Sequence, residues 1–227
     1  GLVMNGPDRS KVKLLSFQKL MELLFEQRSP VQYFMIPMGK SRMSDNKNEG
    51  VVRSYSGYVK VSEKMTTGLL TVRGEFRSSK FKTSFTKAVG TNLPKDREVI
   101  LAKNNVAWMS PDELLILCDY ADVSSLSQNL QMELKDQHHM LVNVSDARAL
   151  FEISGCCIRE IIAKLAPVNI ATLEIGEIRR TRFSQIAVAF WLTSETSASV
   201  ICFSSVADYM FNLLKTSSTP NSKVGDF

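Results

Sequence analysis

From Val51 to Leu214 the apolar residues come in short groups whose spacing switches repeatedly between that of a strand and that of a helix. Glycine, proline or a polar pair closes most of these groups, so the chain reads as a succession of short strands and helices. The longest unbroken apolar runs are Ile186 to Leu192 and Leu114 to Cys118. Both fall far short of the roughly 20 residues a bilayer-spanning helix needs, so no transmembrane helix is expected.

Leu69-Leu70-Thr71-Val72-Arg73-Gly74 predicts a strand stopped by Gly74, and Phe81, Phe85 and Val89 predict a helix closed by Gly90. Residues 98–102 and 106–109 read as strands around Asn104-Asn105, and Pro111-Asp112 breaks the chain before the strand Leu114 to Cys118. Leu126, Leu130 and Leu134 place a helix over 123–134, and 140–144 and 148–153 are strands joined through Ser145-Asp146. Phe151 to Gly155 ends a strand on a glycine, and Ile158, Ile161, Ile162 and Leu165 follow at helical spacing until Pro167. That turn lacks the further glycines and the lysine of a phosphate-binding loop, so it reads as a plain connection. Residues 185–193 and 199–203 are strands, and Ala207, Met210, Phe211 and Leu214 mark a last amphipathic helix before a polar tail over 216–227.

The first 50 residues differ. Residues 10–27 set Leu14, Phe17, Met21 and Leu24 on one stripe of a basic helix. Glu22 and Glu26 speak against a targeting peptide, and residues 29–50 lose all periodicity, as an extended linker does. A lone helix of this length is marginal in water, so the stripe needs an apolar surface, and a long linker favours a neighbouring subunit as that surface. Residues 1–50 are therefore expected as a helical docking arm and linker, 51–215 as a two-lobed α+β domain, and 216–227 as the tail.

Chemistry-bearing patterns are sparse. The four cysteines, Cys118, Cys156, Cys157 and Cys202, are too few and too irregular for a disulfide framework or a zinc site. They read as free thiols of a reducing, cytoplasmic compartment, with no basic and apolar leader ahead of them. Cys156 and Cys157 read as small buried packing residues whose side chains diverge by helical geometry. His138 and His139 are adjacent and would point to opposite sides of a strand, which disfavours a shared metal. No metal-ligand, nucleophile-elbow or dinucleotide motif occurs, and Asp112-Glu113 reads as a turn cap. Residues 1–107 carry 19 Lys and Arg against 9 Asp and Glu, and residues 108–227 carry 9 against 14. The basic charges are scattered over several elements rather than gathered with aromatics on one, so nucleic acid is not the expected partner.

Specific strings add a resemblance. Ala107-Trp108-Met109-Ser110-Pro111-Asp112-Glu113-Leu114-Leu115, then Val142-Asn143-Val144-Ser145-Asp146-Ala147-Arg148, then Gly176-Glu177-Ile178-Arg179-Arg180-Thr181-Arg182, and Cys202-Phe203-Ser204-Ser205-Val206-Ala207 occur in that order. With the Leu-Thr-Val-Arg-Gly strand at 70–74, they resemble the gamma subunit family of heterotetrameric sarcosine oxidase, from about Gly50 to Phe227. Residues 1–50 have no counterpart in the resemblance.

The resemblance implies an α+β fold with mixed or antiparallel sheets and packed helices, similar to the folate-binding domains of aminomethyltransferases. It also implies a subunit of a complex that oxidises sarcosine to glycine, releases hydrogen peroxide and passes the one-carbon unit to tetrahydrofolate. FAD, covalently attached FMN, NAD, tetrahydrofolate and zinc then belong to the alpha, beta and delta subunits, and no cofactor ligand carries over to this chain. Two readings stay open: a non-catalytic subunit acting in assembly and stability, or an independent folate-binding or one-carbon-transfer module. For the interface, Arg180 and Arg182 alternate with Thr181 and share one strand face, while Arg179 faces the other. They are candidates for a charged partner contact, beside Leu14, Phe17, Met21 and Leu24 of the arm. A solvated strand edge guarded by charge is the competing account of the arginines.

Overall fold

Eleven strands and four α-helices build the protein across residues 51–225, the span that the computed structural model describes. The expected arm and linker, with Leu14, Phe17, Met21 and Leu24, lie outside the described residues.

One sheet holds six strands in the order β1-β2-β8-β11-β10-β9. These are β1 (Val51–Ser56), β2 (Lys60–Lys64), β8 (Arg148–Ser154), β11 (Ser197–Phe203), β10 (Ile186–Ser194) and β9 (Ile178–Phe183). The other holds five in the order β4-β5-β6-β3-β7: β4 (Val99–Ile100), β5 (Asn105–Ser110), β6 (Glu113–Asp119), β3 (Thr67–Gly74) and β7 (His139–Asn143). Every pairing between these strands is antiparallel.

The four helices are α1 (Ser79–Val89), α2 (Val123–Leu134), α3 (Ile158–Leu165) and α4 (Ala207–Ser217). Each follows the apolar spacing that the sequence announces. In α1, Phe81, Phe85 and Val89 turn inward, Ser78 caps the first turn by accepting from the Phe81 amide, and Gly90 ends the helix at φ +82°. Helices α1 and α2 cover the outer face of the five-stranded sheet, α1 through Phe81, Phe85 and Val89 and α2 through Leu126, Leu130 and Leu134, in one core with Leu70, Val72, Leu114 and Ile116. Helices α3 and α4 cover the outer face of the six-stranded sheet, where Ile158, Ile161, Ile162, Met210 and Leu214 meet Val61, Phe151, Ile153, Phe190 and Val200. The two inner faces stack on each other through Leu69, Ala107, Leu115, Leu117, Leu150, Ile178, Ala189, Trp191 and Ile201. The order of layers is thus helix, sheet, sheet, helix.

Both sheets follow one path. β3, α1, β4, β5, β6, α2 and β7 form a split βαβ arrangement in which α1 and α2 each join strands that are not neighbours. β8, α3, β9, β10, β11 and α4 repeat it, except that the place β7 holds beside β3 is filled beside β8 by β2, which with β1 precedes the five-stranded sheet in sequence. The strands β7 and β8, joined through Ser145-Asp146, therefore belong to different sheets. Along one side the backbones lace the sheets together: the Val99 amide donates to Gly176 O at 2.6 Å and the Ile178 amide to Arg97 O at 2.9 Å.

Candidate functional site

The inner face of the six-stranded sheet can be read in rows across β8, β11, β10 and β9. Glu152, Ser199, Trp191 and Ile178 stand in register, and so do Leu150, Ile201, Ala189 and Arg180. Ile178, Trp191, Leu150, Ile201 and Ala189 are buried against the other sheet. One step further, Arg148 pairs with Phe203 and Ala187 with Arg182, two residues beyond Ile201 and Ala189. Most of this row is open: Phe203 is 50% exposed and Ala187 and Arg182 are exposed, while Arg148 is half-buried.

The row combines cations with an aromatic ring. The Arg148 guanidinium lies over Phe203, 4.0 Å from the ring centroid, a cation–π contact. Burial pulls the Arg148 pKa down, Glu113 opposes that shift and Arg180 adds to it. Arg180 donates to Met109 O at 2.6 Å, which ties β9 to β5 of the opposite sheet. Arg182 makes no hydrogen bond or ion pair among the described residues. On the five-stranded sheet, Arg73 Nε donates to Glu113 Oε2 at 3.1 Å, and Met140, in register with Arg73 on β7, is 44% exposed. Arg73, Arg148, Arg180 and Arg182 thus outnumber Glu113 and Asp112 on a surface that also offers an exposed aromatic and an exposed thioether. Such a surface suits an acidic segment that also offers apolar side chains.

Arg180 and Arg182 lie on one face, as the alternation predicts, and Arg179 lies on the other, where it pairs with Glu177. Arg180 is committed partly to the fold through Met109, so Arg182 is the freer of the two. Sequence reasoning missed Arg148 and Phe203. Their only local signal was position at the start and end of apolar strands, and their row partners are far away in the chain.

A second polar cluster lies on the outer side of the six-stranded sheet. Glu160 on α3 is fully buried and pairs with Lys164 at 2.7 Å; Tyr58 Oη lies 3.0 Å from it, and the Val224 amide donates to it at 2.8 Å. Burial alone would raise the Glu160 pKa, but Lys164, the Val224 and Gly225 amides and Tyr58 outweigh it and bring the carboxyl to about 2. The charged form is satisfied on every side, which marks a clamp on the C-terminal segment rather than a proton-transfer site. An open cleft of about 370 Å³ lies between the start of α2 and β7, lined by Tyr120, Ser124, Gln128 and Asn143. It contains no charged side chain.

The cysteine pair departs from the sequence reading. Cys156 is exposed and Cys157 half-buried, and their sulfurs stand 3.2 Å apart instead of diverging. They occupy the turn ahead of α3, which starts only at Ile158, so helical spacing does not separate them. Among the described residues no three His, Cys, Asp or Glu side chains are gathered to hold a metal ion, and no helix is long and apolar enough to cross a membrane.

No curated protein matches this chain. Among solved structures, it is similar to a chain of the heterotetrameric sarcosine oxidase from Corynebacterium sp. U-96 in complex with pyrrole 2-carboxylate. Identity there is 21% and the TM-score 0.68, over 77% of this chain and 91% of that one. It is also similar to the glycine cleavage system aminomethyltransferase T from Bartonella henselae, at 12% identity and a TM-score of 0.48, over 65% of this chain and 43% of that one. The first likeness agrees with the α+β layering described above. The model of the sarcosine oxidase gamma subunit family matches residues 73–220, which include β9 with its arginines, the Arg148–Phe203 pair and both helix layers. With well over half of its 227 residues inside that match, the chain belongs to the sarcosine oxidase gamma subunit family.

Proposed function

We propose that this chain is a non-catalytic subunit of a heterotetrameric sarcosine oxidase and acts in assembly and stability of the complex. The observation that carries the reading is the row in which exposed Phe203, Ala187 and Arg182 stand with half-buried Arg148 beside a tightly packed inner layer. A folded surface that leaves an aromatic ring under a desolvated guanidinium in the open is suited to a partner protein. The alpha, beta and delta subunits are the partners in this reading. FAD, FMN, NAD and zinc are held by them, and tetrahydrofolate is used through them. The strand–turn–helix at Gly155, without further glycines or a lysine, supports a chain that binds no phosphate-bearing cofactor itself.

The test is co-expression of the tagged chain with the other subunits. The wild type is expected to draw the flavin-containing complex through purification, whereas the chain alone elutes colourless and inactive on sarcosine. Changing Arg148 and Arg182 together to Ala should lower recovery of the complex at least tenfold. Intact assembly and activity in that double variant would sink the assembly role of this surface. Titration of the isolated chain with tetrahydrofolate distinguishes the independent folate module, since saturable one-to-one binding would favour that module instead.

A further inference from the structure

We propose that Cys156 and Cys157 form a vicinal dithiol that a hydroperoxide closes into a disulfide between adjacent residues. The pair sits where two thiols can both be reached and can meet. Cys156 is exposed, Cys157 is half-buried, and the Sγ–Sγ separation of 3.2 Å lies inside ordinary contact between two sulfurs. Closing it to the ~2.05 Å of a disulfide needs an approach of little more than an ångström. On its near side the turn has the backbone freedom of glycine, because Gly155 at φ +146° precedes the pair, its amide donating to Thr196 O at 2.8 Å. On the far side α3 is fixed: Ile158 is fully buried and Arg159 donates to Ile170 O at 2.9 Å. The other two cysteines, Cys118 and Cys202, are buried, so this pair is the accessible one among the four.

The sulfurs have different roles. Cys156 is the exposed sulfur and the one a peroxide reaches, whereas Cys157 is half-buried, with its pKa raised by the hydrogen bond to Cys156 and by burial. The Cys156 thiolate attacks the peroxide; an S–O bond forms, the O–O bond breaks, and the departing oxygen takes up a proton as alcohol or water. Cys157 then gives up its proton and attacks Cys156 Sγ. The S–S bond forms, the S–O bond breaks, and the oxygen leaves with the proton as water. Two thiols and one hydroperoxide become one disulfide, one alcohol and one water.

The purified full-length chain, treated with one equivalent of cumene hydroperoxide, is expected to lose two of its four free thiols. The tryptic peptide spanning 149–159 should become lighter by two hydrogen atoms, with no covalent dimer. Dithiothreitol should restore both thiols. Phenylarsine oxide, which bridges two neighbouring thiols, should bind once per reduced chain and not at all after oxidation. Cys156→Ser and Cys157→Ser should each abolish arsenical binding, and Cys157→Ser should leave Cys156 to accumulate sulfenic and sulfinic acid. Retention of all four thiols, a disulfide-linked dimer, or sulfinic acid on Cys156 of the wild type as the main product would overturn the proposal. Cys157→Ala serves as a second variant of the half-buried position, and an arsenical stoichiometry that it leaves unchanged would also overturn it.

Discussion

The two sheets with their helices follow the same path, but they are finished differently. The five-stranded sheet is built from one continuous stretch, β3 to β7, so all its pairings close within residues 67–143. The six-stranded sheet takes β1 and β2 from before that stretch, with β2 pairing on β8, and its other four strands from after it. Polar clamps then hold the borrowed strand and its neighbour: Arg53 pairs with Glu63 at 2.6 Å and reaches Asp208 on α4 at 2.7 Å. Glu160, Lys164 and Tyr58 fasten the chain end over the β1–β2 turn. The lesson is that the locally built lobe keeps its ion pairs, such as Lys87–Glu133, on partly exposed side chains, whereas the lobe assembled from distant segments adds clamps on the buried carboxylates Glu63 and Glu160 where its segments meet.

The largest expected effect tests whether the lobes are one cooperative unit. Phe151 on β8 and Phe85 on α1 are fully buried in the two outer cores. Phe151→Ala and Phe85→Ala should each cost about 3–5 kcal/mol. Because the inner layer is shared, both changes should move a single transition. The two tryptophans report on this separately, Trp108 from β5 and Trp191 from β10. Urea unfolding of Trp108→Phe and Trp191→Phe forms, followed by fluorescence, should give coincident midpoints. Separate midpoints would show two lobes that fold independently.

A smaller effect is expected at the borrowed hairpin. A Cβ on Gly57 would stand 1.8 Å from Ser218 O, whereas one on Gly90 meets nothing within 4 Å. Gly57→Ala should therefore cost roughly 1–3 kcal/mol through forced separation of the β1–β2 turn from the end of α4. Gly90→Ala should cost about 1 kcal/mol, the left-handed backbone alone. Thermal melts of the two variants compare the lobes directly; equal losses would mean that the hairpin seat is soft.

The Glu160 clamp should appear only in acid. Its carboxyl is held at about 2 against an ordinary 4.5, so its contribution to stability is complete above 4.5 and fades as pH falls towards 2. Glu160→Gln should lose that part of the pH dependence, measured as urea midpoints between pH 5 and 2.5, while the five-stranded lobe has no equivalent buried carboxylate. An unchanged slope would remove the clamp from the comparison. The smallest effect is at the surface row, where Arg182→Ala should change the stability of the isolated chain by no more than about 0.5 kcal/mol. A larger loss would mean that Arg182 serves the fold rather than a partner.

Much of the local architecture is legible in the sequence. Gly74 ends its strand, Phe81, Phe85 and Val89 line the inner side of α1 up to Gly90, and Arg180 and Arg182 share a face opposite Arg179. These follow from chain periodicities of 3.6 and 2, which any short window of sequence contains. Cys156 and Cys157 defeated the same rule because the residues just ahead of α3 have turn geometry, and helix boundaries are set by hydrogen bonding rather than by apolar spacing.

For most elements between Leu69 and Leu214 the sequence by itself determined the kind, the order and the apolar side, whereas β1 and β2 were not legible in it. Only the tertiary structure decided that β2 closes the sheet of β8, that β7 and β8 part into different sheets, and that Arg148, Phe203, Ala187 and Arg182 form one row. The physical reason is that side-chain direction is fixed by neighbouring peptide units, while the choice of strand partner and register depends on the total burial gained among segments distant in the chain.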